Sequence, residues 1–369
     1  MSARSVLVTG GAGFIGSRLA ARLHEAGDRV SVVDSLHPQV HATGEWPALL
    51  PAGVERVLGD VTDPALWDAL LPRTRPDVVV HLAAETGTGQ SLTEASRHGM
   101  VNVVGATRLL DGLTRHRRVP RALVLPSSRA VYGEGAWADA VGRTCYPPAR
   151  DAGALEAGRW DPELQEVPAR PLAHSASTTE PRPTNIYAAT KLAQEHLLGA
   201  WAAAHGCTLS VLRLQNVYGP GQSLTNPYTG IVTLFARLGL HGEGIEVFED
   251  GRILRDFVYV DDVVSALVAA SALDDGARTT VDVGSGEPVT LLDLAERIAG
   301  LCGAPAPRVS GRYRAGDVRA AHADLAAAAE RLGYHPTVTL DSGLRRLLTW
   351  IAAETGVRPP AEVLVDGRS

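Results

Sequence analysis

The chain has 369 residues, 45% of them apolar and 21% charged, which is enough to bury one large core or two smaller ones in a soluble globular protein. A formal net charge of −6 offers no broad basic face and so excludes a protein that grips a nucleic-acid backbone, and no apolar run approaches the roughly 20 residues of a membrane span. Three separated cysteines (Cys145, Cys207, Cys302), no Cys-x-x-Cys pair and a first strand that leaves no room for a signal peptide make a reduced, metal-free, cytoplasmic protein the expectation.

Apolar runs at Val6–Val8, Val30–Val33, Val54–Leu58, Val78–His81, Ala122–Leu125, Leu209–Leu212 and Val281–Val283 read as strands buried on both faces. Between them Phe14–Glu25, Ala65–Leu71, Leu92–Thr114 and Ala188–Ala204 carry helical periodicity. This alternation predicts an α/β fold with a doubly wound parallel sheet. The stretch 135–182 breaks the rhythm with Pro, Gly, Ala and charge, and is either an ordered lid near the active site or a flexible insertion; the lid is the favoured reading. Later, Thr290-Leu291-Leu292-Asp293 resembles a helix-starting capping box, and helices are expected near Ala321–Leu332 and Asp341–Glu354. Residues 1–215 with 260–285 are expected to form one domain, and 216–259 with 286–369 a smaller α/β substrate domain.

The first strand runs into Thr9-Gly10-Gly11-Ala12-Gly13-Phe14-Ile15-Gly16 and then a helix. Gly10 suits the tight turn, Gly13 lets a pyrophosphate approach the backbone, and Gly16 lets the helix pack closely on the sheet. Phe14 and Ile15 open the helix, whose free N–H groups and dipole face the phosphates. Asp34, 18 residues beyond Gly16, ends the second strand, where a carboxylate accepts from ribose hydroxyls and repels a 2′-phosphate. NAD is therefore expected over NADP. Asp60 and Val61 follow the third strand, placed to meet the adenine. His81 closes the fourth and reads as structural, with the small run Leu82-Ala83-Ala84 lying against the cofactor.

The fifth strand leads to Ser127-Ser128-Arg129-Ala130, and a later helix opens on Tyr187-Ala188-Ala189-Thr190-Lys191. A four-residue spacing puts Tyr187 and Lys191 on one helical face. A nearby ammonium favours the phenolate, and Lys191 can also reach the nicotinamide ribose while Ser128 bridges to a substrate oxygen. Lys191 is the single lysine among 35 basic residues, and a guanidinium is too wide to replace it.

Taken together, these residues resemble the extended short-chain dehydrogenase family of nucleotide-sugar epimerases and dehydratases, over nearly the whole chain. The resemblance implies a Rossmann cofactor domain, a homodimer through the Leu92–Thr114 and Ala188–Ala204 helices, and a contact of Asn102 with the cofactor. The stretches Arg213–Gly221, Arg255–Asp262 and Arg314–Asp317 are also similar to the family. They imply that Asn216, Arg255, Arg314 and Asp317 hold a nucleotide diphosphate, guanidinium groups being its natural partners. Thr86–Ser91, Ser127–Gly135 and Asn226–Ile231 resemble the branch that acts at C4 of a dTDP-linked 6-deoxyhexose, adding Thr86, Arg129 and Asn226 to the implied substrate contacts. A cysteine pair common in that branch's insertion is missing from Trp160–Pro168.

In dehydratases of this family an Asp-Glu pair follows the catalytic Ser or Thr, and in decarboxylases a glutamate takes the position of Ala130. This chain has Arg129-Ala130, and alanine moves no protons. Epimerisation through a transient 4-keto sugar is the reaction expected. A 4-ketoreductase and a non-catalytic dinucleotide sensor are the alternatives; Asp34 argues against the first and the retained Tyr187 against the second.

Overall fold

The computed structural model of the chain describes residues 3–164, 167–224, 226, 230–314, 316–360 and 363. Gln165 and Glu166 of the insertion, Pro227–Thr229 of the Asn226–Ile231 stretch, and Ala315 lie outside the described residues.

Chain order runs through β1 (Ser5–Thr9), α1 (Phe14–Glu25), β2 (Arg29–Asp34), β3 (Glu55–Leu58), α2 (Pro64–Thr74) and β4 (Val78–His81). It continues with α3 (Gly105–Arg115), β5 (Ala122–Ser128), α4 (Ile186–His205) and β6 (Thr208–Leu214). A later strand, Arg278–Val283, joins these six in one sheet ordered Arg278–Val283, β6, β5, β4, β1, β2, β3. Every pairing is parallel, as expected of a doubly wound sheet. The chain winds from β1 to β3 in one direction and from β4 onward in the other, so a crevice opens beyond the carboxyl ends of β1 and β4.

Burial follows the apolar runs with one exception. β1, β4 and β6 are buried throughout. β3 is half-exposed along its length and its Leu58 is 67% exposed. The expectation of two buried faces fails there because β3 is the edge strand.

Two predicted helices differ as well. The Leu92–Thr114 periodicity resolves into a short turn Ala95–His98, a π-helical stretch Gly99–Val104 and α3. The predicted Ala321–Leu332 helix starts only at Ala326, because Ala320–Ala321 pairs as a strand with Leu254–Arg255. α4 starts where Asn185 caps it, its side chain accepting from the Ala188 N–H at 2.9 Å, a contact worth about 1 kcal/mol.

Asn216–Tyr218, Leu254–Tyr259 and Pro288–Thr290 form a second, mixed sheet. Thr290 caps the Leu291–Cys302 helix through the Asp293 N–H, as its sequence suggests. One hydrophobic cluster runs from Val6 and Val32 on the large sheet to Leu344 and Ile351 in the last helix, so both sheets share a core. On the opposite face, Trp67, Leu109, Leu113 and Leu198 pack in a separate cluster.

The insertion is folded across its described residues. Trp137–Ala138 pairs antiparallel with Thr144–Cys145 and with Arg170–Pro171, and Asp151 caps a short helix Ala152–Glu156. His174 bridges to Ala323 of the C-terminal region.

Candidate active site

The crevice at β1 and β4 holds a cavity of about 200 Å³ lined by Gly10, Gly13, Asp34, Asp60, Val61, Leu82, Ala83, Ala84 and Thr86. Gly10 has φ +67°, and a Cβ there would meet the Ala83 nitrogen at 2.8 Å. Gly16 is packed against the Gly10 carbonyl and Gly11, so the lack of a side chain lets α1 approach the end of β1 closely. Phe14 and Ile15 turn their side chains to the core. What they can give a phosphate is backbone, because no side chain caps α1 at Gly13 and first-turn N–H groups have no partner within a helix. These features fit the pyrophosphate of a dinucleotide.

Asp34 accepts from the Ala12 N–H at 3.0 Å and from the Leu36 N–H at 2.9 Å, so it braces the glycine turn from the crevice wall. Each carboxylate oxygen keeps a second acceptor site for a ribose hydroxyl. Asp60 uses one oxygen on Thr62. Gln39, His37 and His41 also line this cavity, from a loop with no motif that could have flagged them.

Two residues sit elsewhere than their expected roles require. Asn102 lies in the π-helical stretch, fully buried; it accepts from the Glu85 N–H (2.7 Å) and donates to the Glu85 carbonyl (3.0 Å) and the Thr190 hydroxyl (3.0 Å). Its amide protons are spent on fixing the loop after β4 to α4, a positioning job in place of a cofactor contact. Asn226, expected at the substrate, lines the cofactor cavity instead, where it accepts from Gln39 at 3.3 Å.

Ser128 ends β5 and caps the 3-10 turn Arg129–Tyr132, accepting from the Ala130 N–H at 3.1 Å. Its own proton stays free to donate, and its hydroxyl is among the groups that act on the Tyr187 phenol. Burial raises the Tyr187 pKa, while Ser128 and the Arg129 charge pull it down. Arg129, beside Ser128 in the chain, thus adds a cation to the one that the sequence suggested for the phenol, Lys191. Lys191 is 3% exposed and is pushed down to about 8 by burial, against the pull of Glu195. It acts on His81, which burial and that charge hold at about 3 and therefore neutral. His81 Nδ1 lies 2.8 Å from the Thr9 hydroxyl, in keeping with a structural part.

Behind these groups lies a buried network that no local sequence signal announces. Glu195, one turn after Lys191, accepts from the Ser127 hydroxyl (2.5 Å) and from Arg213 Nε (3.0 Å) and Nη2 (2.7 Å). Arg213 stacks over Tyr132 at 4.8 Å, and Tyr132 donates to Asp282 at 2.8 Å. Burial pushes the Asp282 carboxyl up to about 7, against the Tyr132 hydrogen bond.

At the start of α4, a small pocket is lined by Thr88, Gly89, Thr184, Asn185, Arg314, Gly316 and Asp317. Arg129 Nε donates to Asn216 (3.0 Å) and Arg255 Nη2 to Asp317 (2.7 Å). Burial would raise the Asp317 carboxyl, yet Arg255, Arg129, Arg150 and Arg314 hold it below the usual carboxylate range. Burial and Arg255 push Arg129 itself down to about 10. Arg255 and Arg314 beside this carboxylate are suited to a diphosphate.

A glycine-turn dinucleotide crevice beside a Ser–Tyr–Lys group defines an oxidoreductase-type NAD enzyme, one that handles a carbinol proton next to a hydride acceptor. The family model described as "NAD dependent epimerase/dehydratase family" matches residues 6–284, and the chain belongs to that family. The chain is 52% identical over 352 residues to dTDP-L-rhamnose 4-epimerase of Burkholderia thailandensis, covering 95% of this chain and 96% of that protein. Among solved structures it superposes on UDP-glucose 4-epimerase of Thermotoga maritima with UDP-glucose (TM-score 0.76, 29% identity, 95% and 99% of the two chains). It also superposes on UDP-glucose 4-epimerase of Thermus thermophilus in complex with NAD (TM-score 0.74, 29% identity, 94% and 98%). Among the described residues no helix is long and apolar enough to cross a membrane.

Proposed function

We propose that the protein inverts C4 of a dTDP-linked 6-deoxyhexose, interconverting the rhamnose and 6-deoxytalose forms. The observation that carries the reaction type is the buried methyl group of Ala130, two residues after Ser128, at the position where elimination would need an acid. Tyr187 takes the C4 hydroxyl proton, and Ser128 donates to the oxygen as it becomes a ketone. NAD, when bound, accepts the hydride from C4 and returns it. No acid at position 130 draws a proton from C5, so the ketone is not diverted to loss of water. The sugar turns over in the pocket while Arg255 and Arg314 keep the diphosphate, so that hydride would return to the opposite face of C4 while Tyr187 gives its proton back to the C4 oxygen.

The sugar and base are supported by the 52% identity to the Burkholderia enzyme, which extends over nearly both chains. The cysteine-free insertion does not touch the chemistry. Residues 1–215 with 260–285 serve the cofactor, and 216–259 with 286–369 the nucleotide sugar, in a cytoplasmic homodimer. On the two helices expected at the dimer, Leu109, Leu110, Leu113 and Leu198 are buried within one subunit. The dimer surface rests instead on Leu192, Leu197 and the exposed Met100 and Leu92.

The test is to incubate purified protein with dTDP-L-rhamnose and follow the sugar by proton NMR. Appearance of the 4-epimer is expected. Unchanged substrate would sink the assigned sugar, and a water-eliminated 4-keto product from dTDP-glucose would sink epimerisation.

A further inference from the structure

We infer that Arg150, in the insertion, is a positioning residue for the nucleotide subsite, and that the insertion and the bound nucleotide stabilise one another through it. The inference rests on the nucleotide-sugar reading above and concerns residues that neither motif nor resemblance singles out.

The strap 317–319 has two sides. Toward the pocket, Arg255 Nη2 donates to the Asp317 carboxylate (2.7 Å) and the Val318 carbonyl (2.7 Å). Toward the insertion, Arg150 Nε and Nη2 both donate to the Asp317 carbonyl, at 3.2 and 2.6 Å. Arg150 Nη1 donates to Glu249 at 2.9 Å. A second tether comes from the same loop: Asp161 accepts from Arg319 Nε at 2.6 Å. Arg319 in turn donates to Asp250 at 2.7 and 2.8 Å and to Glu249 at 3.1 Å. A run of contacts thus joins the insertion to Arg255 through a single carbonyl group and its own carboxylate.

Two features argue that this is more than packing. The Arg150 side chain is only 6% exposed, and burying a guanidinium among polar loops is costly unless each donor is used. Its partner Glu249 is 1% exposed and sits at φ +53°, in the left-handed region that non-glycine residues rarely occupy. A strained, buried acid kept to receive two arginines is a device for fixing the strap. Linkage then requires reciprocity: if the insertion orders the strap for a diphosphate, a bound diphosphate must order the insertion.

The experiment uses the NAD-loaded full chain, with dTDP and UDP as probes in calorimetry, and hydrogen exchange across 137–160. The wild type is expected to bind at least one probe and to gain protection in the insertion on binding. In Arg150→Ala the dissociation constant should rise roughly tenfold or more, and the ligand-linked protection should vanish. NAD content should stay near wild type, and the loss in turnover should fall on KM more than on kcat. Arg150→Lys, which keeps the charge and loses the fork, should fall between. Asp161→Asn should shift both readouts the same way but less; these two variants decide if Arg150→Ala does not fold. Unchanged affinity and unchanged ligand-linked protection, with only a lower melting temperature, would overturn the inference. A wild type that binds neither probe would take the nucleotide-sugar reading down first, and this inference with it.

Discussion

The Ser127 hydroxyl lies 2.5 Å from Glu195 Oε1, which ties the residue before Ser128 to the helical turn after Lys191. Glu195 also neutralises Arg213 inside the protein, where neither group reaches water. Glu195→Ala should therefore strand a buried guanidinium and cost roughly 3–5 kcal/mol of stability, to be read from urea denaturation. A loss below about 1 kcal/mol would mean that solvent reaches Arg213.

Catalysis should separate the roles of Tyr187 and Arg129. Tyr187→Phe should lower kcat by roughly 10²–10⁴-fold while NAD content and fold persist. Arg129 is the charge that favours the phenolate, so its removal must raise the Tyr187 pKa. The acid limb of the kcat profile should consequently move to higher pH in Arg129→Gln. A limb that stays in place would assign the effect to another group.

Cofactor economy follows from a hydride that leaves and returns in one site. NAD should copurify, and turnover should need no added NADH. Asp34→Ala should weaken retention twice over, by removing the ribose acceptor and by releasing the Ala12 N–H that it holds. Bound NADP after mild denaturation of the wild type would contradict the reading of Asp34.

His174 should report on acid stability. Burial, then the charges of Arg129, His322, Arg255 and Arg213, push its pKa down to about 3, against 6.5 unfolded. The unfolded chain binds the extra proton, so stability held above pH 6.5 is lost as pH falls toward 3. The Asp282 carboxyl, raised to about 7 by burial, works in the opposite sense over part of this range, and cancels when variants are compared. Between pH 6.5 and 4.5, His174→Gln should lose roughly 2–3 kcal/mol less than wild type in paired denaturation series. Parallel curves would place a proton on His174 in the native protein.

The parts that were legible in the sequence are those set by local rules. Strands buried on two faces must be apolar, a glycine turn must be small, and Tyr187 and Lys191 meet because a helix repeats. The parts that were not legible depend on neighbours distant in the chain. Val54–Leu58 has the apolar content of a core strand and lies at an edge. Asn102 looks free for a cofactor, but its partner Thr190 is 88 positions away. Arg150 is one of many arginines until Glu249, 99 positions on, and Asp317, 167 on, close around it.

The single lysine of this sequence has a practical consequence. Acylating reagents that seek side-chain amines have one target, and it is buried on α4, one turn after Tyr187. Labelling of the native protein becomes a clock for opening of the active site, without engineering. Likewise, a protease that cuts only after lysine can sever the chain at one bond, between residues 191 and 192, and only when α4 has come undone.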